Sequence, residues 1–317
     1  MPAPDRFVVQ KTIGPTPMTI TTKRCKCCSV VALPFVDLDF SRTCEDRHAP
    51  PFAPSGEMVP YFRCQSCGFI FTDHFDAWSP GDMAERIYNA DYHLADPQFT
   101  ETRPASTAAD LVRWLGDIRS DFAALDYGGG EGTLARLMGA NGFDYDSYDP
   151  FFADSAVPAR RYDLVTSFEV VEHTADPYGN LATLLSFTKP NGAVLVSTAL
   201  QPPDVTSDWW YIAPRNGHIS IHSARSLKHL ARRLGVHVLT LDSTHLLYRR
   251  ARDPVPRALL RRDVFGLLWH ASRQNARSLA RASLAAAQVG QPLAALDPRH
   301  PARLLLGERR PPRAGAR

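Results

Sequence analysis

Four glycines fall within five positions of the stretch "LDYGGGEGTLARLM", residues 125–138, between an apolar run and a helical pattern. Glycines at the end of a strand let a ligand approach the backbone and expose the amides of the following helix to it. An acid about 20 residues later is then expected to bind ribose hydroxyls. Asp149 stands 19 residues after Gly130. These positions predict a site for a nucleoside-bearing cofactor.

All six cysteines lie in the first 67 residues, and four of them form two Cys-x-x-Cys pairs. The pairs are Cys25 with Cys28 and Cys64 with Cys67. In a cytoplasmic chain such pairs indicate a metal site rather than disulfides, and four thiolates match tetrahedral zinc. Because four thiolates close the coordination shell, we predict a structural zinc. The remaining Cys27 and Cys44 are interpreted as small buried residues, with Cys27 as an alternative to Cys28 in the ligand set.

Strands and helices that can position these residues alternate from Ser106 onward. Ser106 and Thr107 are candidate caps of a helix with a regular apolar face over residues 111–118. Four strands are predicted, in "FAALDY", "FDYDSYD", "YDLVTSFEVV" and "AVLVSTA". Between the last two, Pro177 opens a helix that is stopped by Pro190. Strands separated by helices imply βαβ units and a parallel sheet.

Four motifs in this order carry a resemblance to a known family. Asp126, Gly128, Gly130 and Gly132 resemble the first motif of class I S-adenosylmethionine-dependent methyltransferases. The similarity continues in "YDP", in "YDLVTSFEVVEHTADP" and in "LLSFTKPNGAVLVSTA", and it covers roughly residues 106–249. The N-terminal "CKCC" and "YFRCQSCGFIF" resemble the zinc-binding region that precedes this domain in some bacterial methyltransferases, including sugar C-methyltransferases.

The resemblance implies a Rossmann-like, doubly wound methyltransferase sheet with S-adenosylmethionine as cofactor. The three glycines of the first motif would surround its methionine part, and Asp149 would hold its ribose. Asp126 is interpreted as a cofactor-side acid or as a cap of the next helix. Phe151 borders the adenine in one interpretation and belongs to the core in the other. The acceptor implied is a small metabolite or a nucleotide-linked sugar.

A hydroxyl acceptor loses a proton during methyl transfer, and several side chains are candidate bases. Glu172 and His173 follow the strand "YDLVTSFEVV" and are expected at the carboxyl edge of the sheet, with a purely structural role as the alternative. His218 lies in a loop before a helix opened by Ser223, and its ordinary pKa of about 6.5 suits proton transfer. The further candidates are His222 and Glu169.

His218 also matches the histidine of a Tyr-x-Glu-His cluster in sugar C-methyltransferases, where the other positions here are Arg215, Asn216 and Gly217. Since only the histidine matches, we predict transfer to oxygen or nitrogen rather than carbon. The nearby aromatic residues Trp209, Trp210 and Tyr211 either line an acceptor pocket or pack. Tyr88 and Tyr92, at helical spacing, pack against a neighbour or overhang the active site as a lid.

The net charge is +3, but residues 249–317 carry 15 arginines against four acids. This region is interpreted as a solvated helical extension with a tail, or as a surface for an anionic partner. Between Cys25 and Cys67 there are five acidic and four basic residues, a charge balance that does not favour binding of nucleic acid. Nucleic acid stays a candidate partner only because of the basic C-terminal region. No apolar run approaches the roughly 20 residues that span a membrane, and no signal peptide is seen, so we expect a cytoplasmic protein.

The predicted fold class is therefore α/β, with a small zinc-ribbon module before the methyltransferase sheet and a helical extension after it. The predicted segments are a leader (1–24), the zinc-binding module (25–75), a connecting helical segment (76–105), the methyltransferase domain (106–249) and the arginine-rich extension (250–317). Two alternatives stay open. One is a methyltransferase acting on nucleic acid or protein, and the other is a nicotinamide dehydrogenase, because "GEGTLA" also fits G-x-G-x-x-A.

Overall fold

The structure, a computed structural model of the chain, describes residues 8–11, 18–118, 122–151 and 156–250. Its strands form sheets of two, five and six strands. The smallest sheet pairs β1 (Val8–Lys11) with β2 (Met18–Thr21). The predicted arginine-rich extension lies outside the described residues, except for its first position.

The five-stranded sheet is antiparallel and carries the cysteines. Its strands in chain order are β3 (Lys23–Arg24), β4 (Val31–Asp39), β5 (Met58–Cys64), β6 (Ile70–Phe71) and β11 (Ser220–Ile221). In space the order is β11-β6-β5-β4-β3. The outer strand β11 comes from the distant segment that carries His218, and it pairs with β6. The cysteine module and the candidate acceptor segment therefore share one sheet.

The six-stranded sheet contains the strands predicted from the alternating pattern. The four predicted strands are β7 (Ala123–Tyr127), β8 (Asp144–Tyr148), β9 (Tyr162–Phe168) and β10 (Thr188–Ser197). A hairpin that was not predicted adds β12 (His237–Leu241) and β13 (Thr244–Tyr248). The spatial order is β12-β13-β10-β9-β7-β8, with β7 to β10 parallel and the hairpin β12–β13 antiparallel. The chain turns from β7 to β8 on one side and then crosses to β9 on the other, which makes the carboxyl ends of β7 and β9 a topological switch point.

Six helices lie around and between the sheets in the described ranges. They are α1 (Pro80–Arg86), α2 (Tyr92–Ala95), α3 (Thr102–Leu115), α4 (Thr133–Ala140), α5 (Pro177–Ser186) and α6 (Ala224–Arg233). The helix predicted after Pro177 is confirmed: Asp176 caps it by accepting the Gly179 amide at 2.9 Å. It ends at Ser186, before the expected stop at Pro190, because β10 already begins at Thr188.

The predicted start of the helix before the first parallel strand was wrong. Ser106 and Thr107 lie inside α3, which begins at Thr102. Pro104 falls in the first turn, where a missing amide hydrogen is tolerated, so it does not delay the start. The apolar face is as expected, since Leu111 and Leu115 are fully buried.

One hydrophobic cluster joins the two larger sheets. It contains Cys25 and Phe71 of the cysteine module, Leu227 of α6, and Val165 and Val194 of the parallel sheet. The module is thus packed on the parallel sheet through α6. Within the described ranges, no helix is long and apolar enough to span a membrane.

Candidate functional site

The four paired cysteines meet between two tight turns. Cys25 Sγ lies 3.6 Å from Cys67 Sγ, and Cys28 Sγ lies 3.4 Å from Cys64 Sγ. All four sulfur atoms lie within 4.8 Å of one another. A tetrahedral zinc with bonds of about 2.3 Å separates its sulfurs by about 3.8 Å. The cluster therefore has nearly the size that such an ion requires.

The backbone of each turn suits thiolate ligands. The amide of Cys27 points at Cys25 Sγ at 3.4 Å, and the amide of Cys67 points at Cys64 Sγ at 3.5 Å. Donors aimed at sulfur stabilise the negative charge that a metal ligand carries.

The two leftover cysteines lie outside this cluster. Cys27 is buried, with its Sγ 3.5 Å from the Ser226 carbonyl. Cys44 is buried 3.9 Å from Nδ1 of His218, and burial raises its pKa. Both match the interpretation of small buried residues.

The glycine loop lies at the switch point between β7 and α4. Gly128, Gly130 and Gly132 have φ angles of +76°, +54° and +73°, a region that side chains disfavour. A Cβ on Gly128 would lie 2.6 Å from Val170, so that position has no room for one. Gly132 is the N-cap of α4 and provides no capping side chain. The first amides of α4 therefore remain available to a ligand.

Asp149 lies beside this loop, as its spacing predicted. It directly follows β8, and its Oδ2 accepts the Gly130 amide at 2.9 Å. Its Oδ1 accepts the Phe151 amide at 2.9 Å. Phe151 itself is 63% exposed, so the interpretation as a core residue was wrong. An exposed ring next to the acid is free to contact a planar group.

Asp126 is the penultimate residue of β7, beneath the loop, and is 4% exposed. Burial, with a smaller contribution from the nearby charge of Asp149, raises its pKa to about 7. The Thr166 hydroxyl lies 3.2 Å from its Oδ1 and opposes that rise. Its side chain makes no helix-capping bond in the described structure.

The three candidate catalytic residues are brought together. Glu172 and His173 belong to a 3₁₀ turn (Val171–His173) just after β9, and His218 follows another (Pro214–Asn216) after β10. One ligand-capable atom of each lies within 4.8 Å of the others, and the two imidazole rings are 5.0 Å apart. The Ile219 amide donates to the Glu172 carbonyl at 2.8 Å and fixes the two segments to each other.

Backbone carbonyls determine which nitrogen of each histidine is free. His173 Nδ1 lies 3.1 Å from the Gly217 carbonyl, and His218 Nδ1 lies 2.7 Å from the Tyr211 carbonyl. Because a carbonyl only accepts, both Nδ1 atoms carry the proton and donate. In each neutral ring, Nε2 is therefore the atom with a lone pair.

The expectation that His218 takes up a proton near its ordinary pKa was wrong. Burial, with a smaller contribution from His173, lowers the pKa of His218 to about 3. Burial also lowers the pKa of His173 to about 4. Neutral imidazoles are thus the resting forms around neutral pH.

Glu172 is fully buried, and burial raises its pKa. Its Oε1 accepts the Tyr211 hydroxyl at 2.6 Å, while Oε2 has no hydrogen-bond partner among the described residues. Tyr211 also lies against His218, with ring centres 4.3 Å apart. Of the three aromatic residues after β10, Tyr211 is therefore part of the cluster, whereas Trp209 and Trp210 are half-buried beside it.

Glu169, also considered as a base, directly follows β9 with a φ of +53°. Burial, followed by the charge of Glu172, raises its pKa to about 7. The Ser197 hydroxyl donates to its Oε1 at 2.7 Å. This backbone region is unfavourable for a residue with a side chain, so the surrounding contacts must hold Glu169 in place. His222, in contrast, is buried against Phe69 of the cysteine module, with ring centres 5.1 Å apart.

Two residues of the cysteine module support the cluster, and the sequence did not predict this role for either. The Tyr61 hydroxyl donates to the His218 carbonyl at 2.8 Å, and the Cys44 amide donates to Asn216 Oδ1 at 2.9 Å. Tyr88 lies between Tyr92 and His173, with ring centres 5.1 Å and 6.2 Å away. It therefore packs against Tyr92 and also borders the cluster. These contacts join segments far apart in sequence, and no local pattern signals them.

Part of the chain matches a known protein family. Residues 99–241 match the sequence model of a family described as a methyltransferase domain. No curated protein sequence matches the chain. The matched segment, which is less than half of the chain, carries the glycine loop, Asp149 and all three clustered residues.

Three solved structures illustrate the likeness. An O-methyltransferase family protein from Burkholderia thailandensis is 14% identical, over 54% of this chain and 62% of that chain, with a TM-score of 0.40. CalO1, a methyltransferase in calicheamicin biosynthesis, is 18% identical over 54% and 61%, with a TM-score of 0.38. Human N-acetylserotonin methyltransferase is 16% identical over 52% and 59%, with a TM-score of 0.37. The chain spans less than two thirds of the length of each.

Proposed function

We propose that this chain is an S-adenosylmethionine-dependent methyltransferase that acts on an oxygen or nitrogen of a small molecule. The observation that carries the proposal is the 2.9 Å bond from the Gly130 amide to Asp149. It joins the glycine loop and the acid after the second strand into one surface at the switch point, where this class of fold binds its ligands. The matched methyltransferase domain contains both residues.

The cofactor roles follow from the chemistry of these groups. Asp149 presents carboxylate oxygens that can accept ribose hydroxyls, and the exposed Phe151 ring can cover the adenine. The side-chain-free loop and the free amides of α4 accommodate the methionine part. Asp126, directly below the loop, is the proposed partner of the methionine ammonium group.

The transferred methyl group is already activated by the sulfonium, so the protein mainly aligns the acceptor and excludes water. The acceptor lone pair forms a bond to the methyl carbon. The carbon–sulfur bond breaks with its electron pair on sulfur, which leaves S-adenosylhomocysteine. A hydroxyl acceptor also releases its proton, which a base of the site or water takes up. We place the acceptor next to Glu172, His173 and His218, because they meet where the segments after β9 and β10 converge.

We further propose that Cys25, Cys28, Cys64 and Cys67 hold a structural zinc. Sulfur separations of 3.4 and 3.6 Å and the buried position of three of the four residues support it. A sugar or nucleotide-linked sugar as acceptor rests on the resemblance of the N-terminal region alone. A mass-spectrometric screen for metabolites that gain a methyl group identifies the acceptor.

Calorimetric titration with S-adenosylhomocysteine tests the proposed function. We expect Asp149→Ala to lose roughly 1.5–3 kcal/mol of binding free energy, as for charge-assisted hydrogen bonds. Gly130→Val should abolish binding, because the side chain would fill the ligand's place on a backbone of positive φ. Asp144→Ala is the matched control. Asp144 is the first residue of β8, at the end of the strand opposite Asp149, and its carboxylate forms a surface ion pair with Arg160.

Wild-type protein that binds NADH but not S-adenosylhomocysteine would replace this proposal with the dehydrogenase. Equal affinities of Asp149→Ala and Asp144→Ala would show that the acid after β8 does not hold the ribose.

A further inference from the structure

We propose that Glu172, His173 and His218 form a binding site for a divalent first-row transition-metal cation, separate from the four cysteines. Two imidazoles and one carboxylate are a common ligand set for such ions. The site lies between the 3₁₀ turn after β9 and the loop before β11, about the place where the acceptor is proposed to bind.

The first argument is the convergence of ligand atoms. One nitrogen or oxygen of each residue lies within 4.8 Å of the other two, and His173 Nε2 lies 3.9 Å from Glu172 Oε1. Ligand bonds of about 2.0–2.2 Å place neighbouring ligands about 3–3.5 Å apart. The side chains would therefore close around an ion by about 1 Å, a movement that small torsional changes provide.

The second argument is the orientation of the histidines. Both rings donate Nδ1–H to a backbone carbonyl, of Gly217 and of Tyr211. Metal-binding histidines usually make this kind of bond with the nitrogen that does not face the metal, because it fixes the tautomer and the ring plane. The two Nε2 atoms are left with their lone pairs for a ligand.

The third argument is the unsatisfied carboxylate. Glu172 is 0% exposed, and within the described ranges its Oε2 has no hydrogen-bond partner. Among those residues its ion-pair contact is with His173, and Arg103 acts on it only at longer range, as a charge that lowers its pKa. A buried carboxylate needs a positive partner or hydrogen bonds at each oxygen. A cation in the cluster supplies that partner, while the Tyr211 hydroxyl holds the other oxygen at 2.6 Å.

Three protein ligands leave at least one coordination position open, as in sites where a metal acts on a bound molecule. An acceptor oxygen in that position would be polarised by the cation. This last point rests on the proposed function, whereas cation binding itself does not.

Calorimetric titration of Mn²⁺ into zinc-loaded, full-length protein tests the site, because Mn²⁺ prefers oxygen and nitrogen ligands and does not compete for thiolates. We expect one Mn²⁺ per chain. Glu172→Gln, which keeps the side-chain shape, and His218→Ala should each weaken Mn²⁺ binding at least 10-fold. His229→Ala, a half-buried histidine of α6 outside the cluster, should bind as the wild type does.

S-adenosylhomocysteine affinity, measured on the same samples, separates the two proposals. Variants that keep this affinity but lose Mn²⁺ support the cation site. Wild-type protein that binds neither Mn²⁺ nor Co²⁺ beyond the cysteine site overturns it, as do Glu172→Gln and His218→Ala with wild-type affinity for the cation. Mn²⁺ binding without S-adenosylhomocysteine binding would leave the cation site standing and remove the proposed function.

Discussion

Asp126→Asn should make the ligand-free protein more stable at alkaline pH while it weakens cofactor binding. Burial raises the pKa of Asp126 from 3.8 to about 7. At 1.36 kcal/mol per pH unit, that displacement costs the folded state about 4 kcal/mol once the carboxyl is ionised. The amide of asparagine has nearly the same shape and carries no charge. The variant is therefore free of this cost.

The direction in which the free energy of unfolding changes with pH follows from proton binding. Between the pKa of the unfolded chain and about 7, the folded state holds a proton on Asp126 that the unfolded state has released. Wild-type stability therefore falls through this range as pH rises, and it levels off above it. The stability of Asp126→Asn relative to wild type should increase by about 3 kcal/mol between pH 5 and pH 8.

Urea unfolding at fixed excess zinc and at several pH values measures this difference. The comparison cancels any constant cost of the new amide and any pH dependence of the cysteine site, since both proteins share that site. Thr166→Val, which removes the hydroxyl that lowers the pKa of Asp126, should extend the wild-type decline to higher pH. Parallel stability curves for wild type and Asp126→Asn from pH 5 to 8 would refute the reasoning.

The same variant should bind S-adenosylhomocysteine at least 10-fold more weakly, because the charged partner of the ammonium group is lost. A residue that costs stability and supports binding is typical of functional positions. Unchanged affinity would show that Asp126 does not bind the cofactor, and the predicted effect on stability would still stand.

Three further outcomes are expected. Cys64→Ser should lose the zinc and unfold at a lower temperature, because the binding energy of the metal contributes to folding. Elemental analysis measures the zinc and calorimetry measures the unfolding temperature. Retention of the metal would contradict the proposed ligand set. Gly128→Ala should lose roughly 1–3 kcal/mol in urea unfolding, from its positive φ and the contact with Val170, whereas Gly139→Ala, in open space within α4, should gain up to about 1 kcal/mol. His218→Ala should bind S-adenosylhomocysteine normally and lose most turnover of an identified acceptor, and near-normal turnover would remove His218 from the acceptor side.

Features fixed by short spacing were predictable from the sequence. The two Cys-x-x-Cys pairs and the glycine loop each lie within a few residues, where the chain geometry leaves few alternatives. The distance from Gly130 to Asp149 is that of one helix and one strand in a βαβ unit, and the 2.9 Å bond between them agrees with it. The four parallel strands followed from the same alternation.

Features that depend on long-range packing were not predictable. The low pKa of His218 arises because Tyr211, Tyr61 and the 3₁₀ turn of His173 enclose it, and these come from three separate segments. The start of α3 at Thr102 was missed because Ser106 and Thr107 are residue types typical of a helix N-cap, although here they lie inside the helix. The exposure of Phe151 has the same origin, since an aromatic residue after a strand gives no sign of whether another element covers it.

The strand β11 has a consequence for the order in which the protein folds during synthesis. Ser220 pairs with Phe71, about 150 residues earlier in the chain. At synthesis rates of about 5–20 residues per second, β6 leaves the ribosome roughly 8–30 s before its partner exists. During that interval the apolar edge of β6 is an open template for pairing with other chains. The period of exposure is therefore determined by the time needed to make the methyltransferase domain, and not by the folding rate of the cysteine module.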